Sequence, residues 1–356
     1  MANPIKTCVF CGEAPAVKTK EHVIPQWLMR LTGDPKRIAS FSSIGERGKN
    51  RRAFAFDAFH FPACDTCNND WSALEDKAKV VVEKILRNGP IKPGEWSTLL
   101  DWFDKVRVGI WLGMRMLDKN VLEIDPKFHI AQRVGLKDRM LVVTKARFGK
   151  RLTFFGINTL AFGYMPSCFG ITINDTTLLN VSYEYLLAER LGFPYPVEHD
   201  QHFSGDSVVK ITGGKETIAL PPLNLHVTAC GTAIHQVMYK NWQASEASDV
   251  WTSEHVKDHS LDHELGMSVP FLELESGQVS RVKTAGSREW VPKHVFDTNA
   301  KSAQYVASFC LDIQSMLWRK WVDFIADSEE KKLAKEYEEA MQGDIKSFRK
   351  FIDTMT

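Results

Sequence analysis

The sequence predicts an α+β protein in which a zinc-stapled N-terminal module precedes a helical connector, a strand-rich second domain and a C-terminal helix. Two Cys-x-x-Cys pairs occur before residue 70, and β-like segments separated by glycine and polar turns dominate residues 138–240. Apolar residues at helical spacing precede and follow those segments. We place the module at residues 1–90, the connector at 91–130, the strand-rich domain at 131–250, and a polar segment with a C-terminal helical region at 251–356.

The composition is that of an ordinary globular protein. Of its 356 residues, 44% are hydrophobic and 25% charged, and the formal net charge is +1, so an argument for nucleic-acid binding has to rest on a local basic patch. No signal peptide is visible, and the most apolar stretch, residues 106–117, contains two arginines and is shorter than the roughly 20 residues that cross a bilayer. We therefore expect a cytoplasmic protein with no membrane partner, whose cysteines are reduced thiols or metal ligands.

The two Cys-x-x-Cys pairs are expected to hold one structural Zn²⁺. Zinc takes four thiolate or imidazole ligands in a tetrahedron, and closed four-cysteine sites are structural. Gly12 directly follows the first pair, as suits a knuckle that turns sharply. A redox pair or unrelated thiols are the alternatives. The predicted ligands are Cys8, Cys11, Cys64 and Cys67.

Three further elements follow from periodicity and stop signals. A helix is expected to begin near Asn68 and to end at Asn88-Gly89-Pro90, after the segment RRAFAFDAFHFPAC, which has the aromatic content of a strand. Residues 95–118 predict a second amphipathic helix packed on the first, and residues 300–352 predict a C-terminal helix with a charged run.

Side chains suited to an open metal site flank the spacer between the cysteine pairs. Glu21 and His22 occur in KTKEHVIPQWL, and Asn68 directly follows the last cysteine. A carboxylate and a histidine on one element can meet an oxygen donor on another at a small metal site. There the histidine would act as general base on water, and the metal would bind the scissile phosphate.

The order Cys-x-x-Cys, Glu-His-Val-Ile-Pro and Cys-x-x-Cys-Asn resembles the four-cysteine branch of the HNH endonucleases, the ββα-metal nucleases, over about residues 8–88. The string CNNDWSALE also looks like a variant of this family. The resemblance implies a structural zinc, His22 as the base that activates water, and Glu21 and Asn68 as ligands of a catalytic Mg²⁺ or Mn²⁺. It favours DNA as the substrate and leaves RNA open.

The chain departs from the family pattern in three respects. The family often has histidine where Asn68 stands, the middle asparagine has only Asn50 as a counterpart by position, and the spacer is long. Ordinary alternatives therefore stay open. His22 would merely anchor the knuckle, Asn68 would cap the helix, and Glu75 is interpreted as a solvated helix residue. His60, on the predicted strand, would be a core or surface residue unless it reaches the site.

A basic segment rich in glycine and serine lies within the spacer. We expect it to neutralise nucleic-acid phosphates without reading bases, and an ordinary solvated loop is the alternative. Farther along, three histidines at four-residue intervals lack the glutamate of the zinc-protease signature and are interpreted as a polar face. The phosphate-contact candidates are Lys36, Arg37, Arg47, Lys49, Arg51 and Arg52, and the three histidines are His255, His259 and His263.

These observations together predict a metal-dependent HNH-type endonuclease that hydrolyses phosphodiester bonds. The rest of the chain would choose the substrate, with a protein partner or trigger acting through the C-terminal region. The rival interpretation is a non-catalytic four-cysteine zinc-binding module that mediates nucleic-acid or protein interaction. The missing middle asparagine favours this rival, whereas the Glu21-His22 pair and the basic segment favour the enzyme.

Overall fold

The structure is a computed structural model, and it describes part of the chain. The residues described are 7–41, 52–117, 129–132, 134, 138–145, 149–155, 167–183, 196–201, 207–211, 217–219, 232–236, 271–273, 278–281, 315, 319, 322 and 328–353. Four residues named above, Asn50, Arg47, Lys49 and Arg51, lie outside these ranges, as do the three histidines of residues 255–263.

The N-terminal part is organised around two antiparallel strands, β1 (Lys18–His22) and β4 (His60–Cys64). Lys18 faces Cys64 at one end of this ladder, and His22 faces His60 at the other. A second hairpin and two short helices connect the strands. They are α1 (Gln26–Leu31), β2 (Ile38–Phe41), β3 (Arg52–Ala55) and the 3₁₀ helix η1 (Phe56–Ala58).

The structure corrects the predicted elements of this part in three places. The segment predicted as one strand forms β3, η1 and β4, and α1 was not predicted at all. Helix α2 (Asp65–Leu86) begins three residues before Asn68, because the Cys64 sulfur accepts a hydrogen bond from the Cys67 backbone and caps the helix. The interpretation of Asn68 as the helix cap is therefore wrong. The predicted end is confirmed: Asn88 has φ +57°, and the Gly89 N–H donates to the Lys84 carbonyl over 2.7 Å.

Helix α3 (Pro93–Leu117) packs on α2 as predicted, but it is not amphipathic over its central turns. Residues 98–113 are buried on every side. Phe103 meets Phe169 edge to face at 5.3 Å between ring centroids, so the sheet of the second half covers one side of α3. Burial of all faces also encloses four ionisable side chains, Asp101, Asp104, Lys105 and Arg107.

The predicted boundary at residue 90 falls inside one continuous hydrophobic core. A Cβ atom at Gly113 of α3 would lie 2.1 Å from Phe59 Cζ, so only glycine lets this ring approach the helix. Trp27 of α1 packs on Trp102 at 5.5 Å between ring centroids. A 3₁₀ helix, η2 (Ile130–Gln132), also returns to the module, where the Ile130 N–H donates to the Val9 carbonyl over 3.0 Å.

The second half contains an antiparallel sheet of eight described strands, and the α+β class is confirmed. The sheet strands are β5 (Asp138–Lys145), β6 (Leu152–Phe155), β7 (Ser167–Ile173), β8 (Thr176–Tyr183), β11 (Thr217–Ala219), β12 (Thr232–Gln236), β13 (Phe271–Glu273) and β14 (Gln278–Arg281). Their order is β11-β14-β13-β12-β5-β8-β7-β6, and the sheet continues past the predicted boundary at residue 250. A separate hairpin pairs β9 (Pro196–Gln201) with β10 (Ser207–Ile211).

The C-terminal helix is α4 (Ser328–Asp353), and it contains the predicted charged run. No helix in the described part of the chain combines the length and the apolar character needed to cross a bilayer.

Candidate functional site

The four predicted cysteines come together at one end of the β1–β4 ladder. The Sγ atoms of Cys8, Cys11, Cys64 and Cys67 all lie within 4.8 Å of one another. Four thiolates about 2.3 Å from a common ion fit within that spacing. The group can therefore hold a metal ion, and it is compatible with structural zinc.

Backbone hydrogen bonds build the first knuckle and fasten it to the hairpin. The Gly12 N–H donates to the Cys8 carbonyl over 2.9 Å, and Gly12 has φ +82°, a conformation that favours glycine. The Val9 N–H donates to the carbonyl of Pro62 in β4 over 3.0 Å. A Cβ atom at Gly12 would also collide with the ring of His129. The knuckle, the hairpin and the segment before η2 are thus locked together.

The thiols do not ionise equally. Burial raises the pKa of Cys8, but hydrogen bonds from the backbone of Cys11, Cys64 and Phe10 outweigh it and lower that pKa to about 7. The pKa of Cys67 is raised, first by burial and then by its interactions with the neighbouring thiols. Four thiolates this close together need a shared cation, which is the chemistry that a metal ion supplies.

His22 lies at the other end of the ladder, half-buried between polar groups. Its Nε2 lies 3.1 Å from Nε2 of Gln26, and the imidazole also hydrogen-bonds the backbone of Asp57. The His60 ring lies across the ladder, 6.3 Å away between centroids. Burial has the largest effect on the pKa of His22 and lowers it below its ordinary 6.5. The charge of Glu21 opposes this shift, and His60 adds to it. The neutral imidazole is therefore favoured.

The hydrogen bonds around His22 also define its tautomer. Arg30 can only donate, and its Nη2 lies 3.1 Å from Oε1 of Gln26, which fixes the orientation of the amide. The Gln26 amide nitrogen then donates to His22 Nε2, which favours the ring proton on Nδ1. In this arrangement the Nε2 lone pair accepts from the exposed Gln26 side chain.

Glu21 and His22 are neighbours in β1 and point to opposite faces of the hairpin. Lys18, Lys20 and His22 share one face, and both lysines are exposed. Thr19 and Glu21 share the other face, opposite Ala63 and Phe61, which are fully buried. The alternation KTKEH indicates that the two lysines are neighbours of His22, whereas the predicted phosphate contacts lie farther along the chain.

The carboxylate of Glu21 is bound by Lys105 of α3. Lys105 Nζ donates to Glu21 Oε1 over 2.6 Å and also to Glu75 Oε1. The side chains of Lys105, Glu21 and Glu75 are only 5%, 13% and 16% exposed. The interpretation of Glu75 as a solvated helix residue is therefore wrong. Burial raises the pKa of Glu75 to about 7, against the opposing effect of Lys105.

The structure also describes Asn68 and three of the predicted phosphate-contact residues. Asn68 is partly buried in the first turn of α2, directly after Cys67. The Arg37 guanidinium donates to the carbonyls of Met29 and Asp34 and to Oγ1 of Thr32, the last over 2.7 Å. Arg37 therefore stabilises the turn after α1. Lys36 is exposed, and Arg52 begins β3.

The residues assigned to the catalytic divalent ion do not fit that ion as they stand. Lys105 already occupies the carboxylate of Glu21. Among the residues that the structure describes, the four cysteines are the one group of three or more acidic, histidine or cysteine side chains that converge closely enough to hold an ion.

Comparison with known proteins gives no match: no family model fits the chain, and neither a curated protein nor a solved structure matches it.

Proposed function

We propose that this chain is an HNH-type endonuclease that hydrolyses phosphodiester bonds with His22 as the general base. The observation that carries the proposal is the setting of His22: burial lowers its pKa, which favours the neutral imidazole, and its Nε2 lies 3.1 Å from Nε2 of the exposed Gln26 side chain. A general base needs this combination of an ionisation state suited to neutral pH and a fixed orientation. The cysteine group would hold the structural zinc that fixes the hairpin to α2.

In the proposed reaction, His22 Nε2 accepts a proton from water while the water oxygen attacks the phosphorus. The bond between phosphorus and the leaving oxygen breaks, and the imidazolium then returns the proton to solvent or to the leaving oxygen. The hydrogen bond to the Asp57 backbone would orient the ring, a role that the family gives to the middle asparagine, for which Asn50 is the candidate by position. Gln26 has to release Nε2 when substrate arrives. The charge stabilisation that Mg²⁺ or Mn²⁺ would supply stays a prediction.

Nucleic acid is the proposed partner, with DNA favoured by the family resemblance and RNA left open. The exposed ammonium groups of Lys18 and Lys20 share the His22 face of β1 and would meet phosphates beside the scissile bond. Lys36 would add a contact farther along the chain, whereas Arg37 is engaged within the protein. The C-terminal region would provide the surface for a protein partner or trigger.

The test is cleavage of supercoiled plasmid DNA and of single-stranded RNA by the zinc-loaded full chain with Mg²⁺, Mn²⁺ or Ni²⁺. We expect His22→Ala to abolish cleavage while the zinc content stays at about one ion per chain. Val17→Ala, at an exposed residue directly before the same strand, is the control and should cleave as wild type. Wild-type protein that cuts neither substrate under any of these conditions would contradict the proposal.

One observation favours the rival, a non-catalytic zinc-binding module. The carboxylate expected to bind the catalytic ion is held by Lys105 in a buried ion pair. A protein of this kind would bind nucleic acid or protein through the same hairpin with zinc in place, and neither wild type nor His22→Ala would cut.

A further inference from the structure

Lys105 reaches from α3 to the point where β1 and α2 face each other. Its ammonium binds Glu21, 84 positions away in the sequence, and Glu75, 30 positions away. One ammonium group therefore forms ion pairs with carboxylates from two elements, β1 and α2. Because all three side chains are largely buried, solvent does little to screen these charges.

An aromatic wall closes the remaining side of the ammonium. Lys105 Nζ lies 5.5 Å from the centroid of the Phe10 ring, and Phe10 is fully buried and stacks on Trp71 at 5.2 Å. A cation is attracted to the face of such a ring. The pocket thus offers two carboxylates and an aromatic face to a positive charge, and the chain fills it with its own ammonium.

A divalent ion and this ammonium compete for the same oxygen. Mg²⁺ binds carboxylate oxygens at about 2.1 Å, and Lys105 Nζ is 2.6 Å from Glu21 Oε1. The two cations at one oxygen would repel each other strongly in a site with little water. Binding of one therefore requires the other to withdraw.

We propose that the Lys105 ammonium is the resident cation of Glu21 and Glu75, and that a divalent ion reaches Glu21 only by displacing it. Lys105 is thus a positioning residue that holds the Glu21 carboxylate on the hairpin face opposite His22 and sets the divalent-ion concentration needed to occupy Glu21. The inference deepens the proposed function, because it rests on Glu21 as the ligand that the family resemblance assigns.

The test measures Mn²⁺ binding to the zinc-loaded full chain by electron paramagnetic resonance of the free ion. Lys105→Met removes the charge and keeps a long apolar side chain, whereas Lys105→Arg keeps the charge and serves as the control. We expect Lys105→Met to bind Mn²⁺ about tenfold or more tightly than wild type, and Lys105→Arg to behave as wild type. Adding Glu21→Gln to Lys105→Met should remove the gain.

Equal Mn²⁺ affinity in wild type and Lys105→Met would overturn the proposal, and so would tight binding that survives Glu21→Gln. If Lys105→Met fails to fold because two buried carboxylates repel, the same comparison is made between Glu75→Gln and Glu75→Gln/Lys105→Met. The second of these should bind Mn²⁺ more tightly than the first, and equal affinity would again overturn the proposal.

This experiment separates the two proposals because it does not depend on cleavage. The expected Mn²⁺ pattern in a chain that cuts no nucleic acid would leave Lys105 as the resident cation and reject the nuclease. Cleavage that depends on His22, with Mn²⁺ affinity unchanged by Lys105→Met, would keep the nuclease and reject the role of Lys105.

Discussion

The two ends of the β1–β4 ladder differ in the source of the positive charge beside their ionisable side chains. At the Lys18–Cys64 end, four thiols from two short motifs converge within 4.8 Å and could hold a metal ion. At the His22–His60 end, Glu21 and Glu75 already share an internal cation supplied by α3. The two ends of one small hairpin therefore differ: the cysteines could hold a metal ion, whereas the Glu21 carboxylate already forms an ion pair with Lys105.

Removal of the metal from the cysteine end should have the largest effect. Structural zinc contributes on the order of 10 kcal/mol to the folding of small zinc modules. We expect Cys67→Ala to lose zinc and the cooperative thermal unfolding of the N-terminal part, as measured by metal analysis and calorimetry. Cys168→Ala, in β7 and outside the group, should retain both. Full zinc binding by Cys67→Ala would show that the thiols do not share an ion.

The raised pKa of Glu75 predicts that the free energy of unfolding falls as the pH rises. Its pKa rises from 4.5 to about 7 on folding, so the folded state holds more protons between these values. The contribution of protonated Glu75 to the free energy of unfolding is fully present below pH 4.5 and is lost as the pH rises through 7, by on the order of 3 kcal/mol.

Denaturant unfolding of wild type and Glu75→Gln at pH 5 and pH 8 tests this dependence. Glutamine imitates the protonated side chain, so the variant should lose less stability between the two values than wild type. Asp70→Asn, at an exposed carboxylate of the same helix, is the control and should follow wild type. An identical pH dependence in Glu75→Gln would show that Glu75 is ionised normally.

The close contact between Gly113 of α3 and the Phe59 ring predicts a smaller effect on stability. A Cβ atom at Gly113 would enter the Phe59 ring, and overpacking of this kind costs about 1–3 kcal/mol. Gly94→Ala, also in α3, meets no atom within 4 Å and should change the free energy of unfolding by less than about 0.5 kcal/mol. Equal stability of the two alanine variants would show that Phe59 does not pack closely against Gly113 of α3.

The smallest expected change concerns the tautomer of His22. Loss of the amide donor in Gln26→Ala removes a hydrogen bond that favours the neutral ring, so the pKa of His22 should rise towards its ordinary value. Nitrogen-15 NMR of the imidazoles would follow the titration and report which nitrogen carries the proton. Arg30→Ala is the second variant, and it should shift the pKa of His22 in the same direction through Gln26. An unchanged titration of His22 in both variants would show that Gln26 does not set the tautomer.

The sequence predicted the cysteine end well because its information is local. Each knuckle is a tight turn of four residues, and Gly12 marks one of them. The Asn-Gly-Pro stop likewise located the end of α2. Elements without a local signal were missed or misplaced, notably α1 and the start of α2, where a cysteine takes the capping role that asparagine usually fills.

The other end depended on contacts between distant residues. Nothing near Glu21 indicates that a lysine 84 positions later would bind it, and the apolar spacing in α3 suggested one buried face where the structure buries all of them. The Asp57 backbone bond to His22 was equally invisible, because a backbone group leaves no mark in the sequence. Burial of charged residues in a helix covered on all sides is a property of the tertiary fold.

If His22 acts as a base in its neutral form, the rate of plasmid nicking should follow the ionisation of its imidazole. With zinc-loaded full chain and Mn²⁺, we expect a nicking rate that rises with pH, has its midpoint below pH 6.5 because the pKa of His22 is lowered, and is absent in His22→Ala. A His22→Ala protein that nicks as fast as wild type, with the same pH profile, would contradict this role of His22.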